Sequence, residues 1–131
     1  MDVASGKMIV LVEDDPGVRY ALEFLLAAGG HRVISAKDGP TALALLDNEA
    51  TPPDLILTDY NLPGGMNGID VLAALRSRLS PDVPGIVLTG DIAKDTLAKI
   101  QQANCIMLSK PAAAADVHAA IAKLLCPADP D

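Results

Sequence analysis

Apolar residues in this chain fall into short unbroken runs and longer stretches at helical spacing, and the two alternate from end to end. Met8-Ile-Val-Leu-Val12 is unbroken and rich in β-branching, the pattern of a strand buried on both faces. Further short strands are predicted at His31–Ser35, Leu55–Leu57, Gly85–Gly90 and Asn104–Ser109. Between them lie helical patterns. Val18, Leu22, Leu25 and Leu26 precede the stop Gly29-Gly30, and Ala42, Leu43, Leu45 and Leu46 follow Asp38-Gly39-Pro40-Thr41 and end near Asn48. A third helix is predicted over Gly68–Leu79, with Ile69, Val71, Leu72 and Leu75 inward. A fourth runs over Asp91–Ala103 through Ile92, Leu97 and Ile100, and a fifth over Ala113–Leu125 with Val117, Ile121, Leu124 and Leu125. Such alternation predicts an α/β domain, a parallel sheet carrying helices on both faces through right-handed crossovers.

The 131 residues suit one domain over 1–131, with its core in 8–125 and short tails. Half the residues are hydrophobic, yet there are only two tyrosines, one phenylalanine and no tryptophan, so the core is aliphatic. A formal charge of −7 argues against nucleic acid or an anionic membrane as a direct partner. No apolar stretch reaches membrane-spanning length and residues 1–7 lack a signal core, which suggests a cytoplasmic protein with Cys105 and Cys126 reduced. His31 and His118 read as surface residues rather than ligands.

Chemistry collects at the strand ends. Strand one runs into Glu13-Asp14-Asp15-Pro16, where Asp15 before proline reads as a helix N-cap. Glu13 and Asp14 have no such structural task, and adjacent carboxylates suggest a hard cation. Strand three delivers Asp59 ahead of a loop with Pro63, Gly64, Gly65 and Gly68; strand four ends in Thr89 and Gly90, strand five in Lys110 and Pro111. Taken alone, Asp59 could simply cap a turn. In a parallel sheet, however, all these ends share one edge, where ligands bind. Three carboxylates suit Mg²⁺, a carboxylate can attack phosphorus, and an ammonium and a hydroxyl can stabilise a transferring phosphoryl group. Gly90 leaves room for that group, and the Lys110–Pro111 bond is a candidate cis peptide.

Four segments in this order resemble the receiver domain of two-component response regulators: Ile9-Val-Leu-Val-Glu-Asp-Asp-Pro16, Pro53-Asp-Leu-Ile-Leu-Thr-Asp-Tyr-Asn-Leu-Pro63 with Gly68, Leu88-Thr-Gly90 and Leu108-Ser-Lys-Pro111. The resemblance covers residues 8–125 and implies a flavodoxin-like (βα)5 fold of strand order 2-1-3-4-5. It implies Asp59 as phosphoacceptor, with Mg²⁺ bound by Asp14, Asp59 and the backbone carbonyl of Asn61, and by Glu13 through water. Thr89, Gly90 and Lys110 would meet the phosphoryl group and relay its arrival to the last two helices. The implied donor is a histidine kinase or a phosphotransfer protein, and the domain would assist its own phosphorylation and dephosphorylation without being an enzyme in its own right.

Two positions depart from the family pattern. Met107 stands where an inward-turning aromatic is usual, and Ala112 where phenylalanine is frequent. A thioether repacks but cannot supply a tyrosine hydroxyl's hydrogen bond, so a muted or rerouted switch is expected. Among alternatives, an aspartate-nucleophile phosphohydrolase wants a second acid where Asn61 stands. A flavodoxin-like redox carrier would not place Glu-Asp-Asp in its phosphate loop, and an interaction domain that is never phosphorylated would not need the full acid, hydroxyl and lysine set. The loop Tyr60–Gly68 and Thr89-Gly-Asp91 look similar to receivers of hybrid histidine kinases, so a stand-alone regulator and a hybrid-derived piece are both open. A monomer or weak homodimer is expected, since no charged pairing pattern marks the fourth and fifth helices.

Overall fold

The computed structural model describes residues 6–90 and 93–125. Five strands, β1 (Met8–Val12), β2 (Arg32–Ala36), β3 (Leu55–Asp59), β4 (Gly85–Thr89) and β5 (Ile106–Ser109), form one parallel sheet of order β2-β1-β3-β4-β5. Helices α1 (Pro16–Ala28), α2 (Gly39–Leu46), α3 (Gly68–Arg78), α4 (Lys94–Gln102) and α5 (Ala114–Leu125) alternate with them, as the apolar pattern predicts. Successive strand residues face opposite sides, which divides the core in two. Val10, Val12, Ile56 and Val87 pack with α2, α3 and α4, whereas Ile9, Leu11, Leu55, Leu57, Ile86 and Leu88 pack with α1 and α5. The three central strands are buried along their whole length.

Several boundaries and faces differ from expectation. β2 begins at Arg32, not His31, because α1 ends in a Schellman motif: Gly30 N–H donates to Ala27 O at 2.9 Å and His31 N–H to Leu26 O at 3.2 Å. Gly30, at φ +89°, is the left-handed residue this motif requires. His31 therefore occupies the position that packs back on the helix end, and it is buried rather than at the surface. His118 is exposed, as expected. α2 stops at Leu46, with Leu45 turned outward, and in α1 Val18 points outward while Leu22 and Leu26 fill the core. α3 stops one residue early at Arg78, leaving Leu79 as its cap. Ala93 is extended, so helical geometry in α4 begins at Lys94, and Thr96 is buried with Ile100 while Leu97 is half-buried. Asn104 takes φ +56°, which delays β5 to Ile106, and α5 starts one residue late. Asp91, Ile92 and Cys126 lie outside the described residues.

Two of the chain's aromatics, Tyr20 and Phe24, are 75% exposed on the outer face of α1. Neither contributes to the core. Phe24→Ser should therefore change stability by no more than about 0.5 kcal/mol in a urea melt. A larger loss would mean that Phe24 is covered in solution.

Candidate functional site

The C-terminal ends of β1, β3, β4 and β5 meet at one edge of the sheet, and each carries its polar residue there. Glu13 follows β1 directly, its N–H still bonded to Ala36 O at 3.0 Å, and its side chain is 1% exposed. Asp14, next to it, is exposed. Asp15 caps α1, accepting from Gly17 N at 2.8 Å and Val18 N at 3.1 Å, with Pro16 in the first turn. Asp59 closes β3 and is 5% exposed. Lys110, held beside β4 by its N–H to Thr89 O at 3.0 Å, reaches across the edge. Its Nζ lies 3.0 Å from Asp59 Oδ2 and 3.4 Å from Glu13 Oε1. Thr89 is buried at the end of β4, and a Cβ on Gly90 would meet nothing within 4 Å. The Lys110–Pro111 peptide is cis.

Carboxylate oxygens of Glu13, Asp14 and Asp59 lie within 4.8 Å of one another. Two like charges at that separation repel by about 3 kcal/mol at an effective dielectric of about 20. Burial, with a further push from Asp59, raises the Glu13 carboxyl above its ordinary value against the opposing pull of the Asp15 N–H and Lys110. Burial alone would lower the Lys110 ammonium, but its bonds to Asp59 and Glu13 outweigh this and hold it above its usual value. One ammonium among three carboxylates leaves the edge negative. The donor set is all oxygen, part buried and part open to water, which fits a hard divalent cation such as Mg²⁺ rather than a softer metal.

The β3–α3 loop presses against this edge. Gly64 and Gly65 take φ of +85° and +80°, and Asn67 with Asp70 forms a capping box at the start of α3. Gly68 N–H donates to Tyr60 O at 2.7 Å, which clamps α3 onto the end of β3. Asn61 is exposed in the first turn of the loop. Met107 points to the α4 side of the sheet, beside Leu97, Ile100 and Cys105, and is 36% exposed.

The structure thus brings together Glu13, Asp14, Asp59 and Lys110, with Thr89 and Gly90 on the adjacent strand end. Glu13 does have a structural task that sequence reasoning missed: its Oε2 accepts the Asp15 N–H at 3.1 Å. Arg19 was missed too, and its Nη1 donates to the Glu13 carbonyl at 2.9 Å. The available signal was a basic residue one turn beyond the N-cap. Asp54 pins the start of the sheet, accepting from Met8 N at 2.8 Å, as an aspartate just ahead of a buried strand can.

Comparison with known proteins agrees with this arrangement. The family model of the response regulator receiver domain matches residues 9–122. The transcriptional regulatory protein AfsQ1 of Streptomyces coelicolor is 42% identical over 81 residues, 62% of this chain and 34% of its own length. The sensory transduction protein RegX3 of Mycolicibacterium smegmatis is 35% identical over 118 residues, 89% of this chain and 50% of its own length. The chain therefore spans about a third to a half of the length of these relatives. For the fold alone, a receiver domain protein from Clostridium thermocellum superposes with a TM-score of 0.81 at 23% identity, over 92% of this chain and 94% of that one. A match running through all five strands, with the acid cluster and its lysine at the expected edge, makes this chain a member of the response regulator receiver domain family.

Proposed function

We propose that this chain is a single receiver domain, with its core in 8–125, that accepts a phosphoryl group on Asp59 from a phosphohistidine of a histidine kinase or phosphotransfer protein. The observation that carries this reading is Lys110 Nζ seated 3.0 Å from the buried Asp59 carboxylate, beside two further acids. An Asp59 carboxylate oxygen attacks phosphorus, the phosphorus–nitrogen bond breaks, and the imidazole leaves with the bonding pair. Lys110 and the Thr89 hydroxyl bind the phosphoryl oxygens, and the open space at Gly90 admits them. Asp14, Asp59, the Asn61 carbonyl and, through water, Glu13 would hold Mg²⁺, which would supply positive charge to the oxygens of the transferring group. Attack of water on phosphorus later releases phosphate and restores Asp59. An apolar groove beside Lys110, lined by Val18, Ala21, Leu25 and Ala112, offers a donor protein a surface to dock on.

Thr89 and Lys110 lead into α4 and α5, so the signal leaves through those helices. With Met107 at the usual aromatic position, the change that follows is smaller or differently routed than an aromatic swing. The acidic domain acts through proteins, not by binding nucleic acid, as a monomer or weak homodimer in the cytoplasm. No described helix is long and apolar enough to cross a membrane.

Intact mass after incubation with acetyl phosphate and Mg²⁺ tests the reading. The wild type should gain one phosphoryl group, and Asp59→Asn, or wild type without Mg²⁺, should gain none. If the wild type stays unmodified and beryllofluoride shifts none of its amide resonances, the site is inert and the reading falls.

A further inference from the structure

Every polar group of Glu13 is held. Its N–H bonds Ala36 O at 3.0 Å, Oε2 accepts from Asp15 N at 3.1 Å, and Oε1 faces Lys110 at 3.4 Å. Its carbonyl lies past the last paired residue of β1, where the sheet supplies no partner. Arg19 supplies one from α1, through Nη1 at 2.9 Å. Arg19 is itself rooted in the first turn of α1, where its N–H donates to Asp15 O at 2.8 Å. The Glu13 carbonyl belongs to the same rigid peptide plane as the Asp14 nitrogen. Rotating that plane would swing the Asp14 side chain away from Glu13 and Asp59.

We propose that Arg19 is a positioning residue: its guanidinium locks the Glu13–Asp14 peptide so that the Asp14 carboxylate stays with those of Glu13 and Asp59. The inference rests on the reading of these acids as the holders of a divalent cation. Arg19 touches none of the reacting groups. It acts through the backbone alone.

The test is Mg²⁺ titration of the unphosphorylated full chain, followed by backbone amide resonances, for wild type, Arg19→Met and Arg19→Lys, with metal-free thermal melts alongside. Arg19→Met should weaken Mg²⁺ binding by roughly tenfold, as loss of an outer-shell partner does. Arg19→Lys, which can still place one charged donor on a single carbonyl, should stay within about threefold of wild type. A merely structural arginine would lower the melts yet leave the affinity of the folded protein unchanged, and that result overturns the inference. If Arg19→Met does not fold, Arg19→Gln takes its place, with the same loss expected and the same overturning result. A wild type that binds no Mg²⁺ would instead bring down the reading of the site itself. The wild-type arm thus separates the two failures.

Discussion

Lys110→Met is expected to lose most of its modification by acetyl phosphate and to be less stable than wild type by about 2 kcal/mol at neutral pH without Mg²⁺. Removing one partner of a buried ion pair commonly costs about 3–5 kcal/mol, because the other charge is left uncompensated. Lys110 is 31% exposed, so solvent screening reduces the loss. Among the described residues it is the cation that reaches both Asp59 and Glu13. The pH dependence follows from the direction of each shift. Lys110 is raised above 10.5, so its contribution is complete below that value and fades as pH climbs past its folded pKa. Glu13 is raised above 4.5, and losing the ammonium raises it further. The deficit of Lys110→Met should therefore be largest around neutrality, narrow toward acid as Glu13 protonates, and narrow again in strong alkali. Urea melts across this range measure it, and added Mg²⁺ should return part of the lost stability at neutral pH. Equal stability of mutant and wild type at every pH would show that Lys110 is not balancing the acids.

How much of this was legible beforehand depends on how local each feature is. The strand ends were readable because a parallel sheet puts Glu13, Asp59, Thr89 and Lys110 on one edge whatever the details of the helices. The cap at Asp15 was readable because its signal is contained in two adjacent residues. The burial of His31 was not, since it depends on Gly30 adopting a left-handed conformation and folding the chain back onto α1. Val18 and Leu45 share another limit. A helical stripe identifies the apolar face but not how far neighbouring elements cover its margins, and both lie at an uncovered margin. Glu13 looked free of structural duty because its partners, the Asp15 N–H and Lys110, are either backbone or 97 positions away. Arg19 was hidden for a related reason: a backbone carbonyl leaves no mark in the sequence.

Gly68→Ala carries the largest expected structural effect, and the reason is the site itself. A Cβ there would lie 2.3 Å from Asp59 O, 2.9 Å from Tyr60 Cα and 3.0 Å from Asp59 C. These are backbone atoms of the strand end that presents Asp59, so no side-chain rotation relieves the clash. Alanine's better helix propensity recovers only about 1 kcal/mol, against overpacking of about 3 kcal/mol or more. The main chain must then move apart where Gly68 N–H grips Tyr60 O at 2.7 Å. Melting should fall by roughly 10 °C, and the folded mutant should accept phosphate more slowly, because Asp59 is displaced from Lys110. Gly65→Ala separates this from ordinary glycine effects. It has open space around it but φ +80°, so it should cost about 1–2 kcal/mol of stability and leave phosphorylation of the folded protein unchanged. Should the two alanine variants behave alike, the close approach of α3 to the end of β3 is not what sets the geometry of Asp59. Should Gly68→Ala alone slow the chemistry, the glycine is there to let a helix start against the backbone of Asp59.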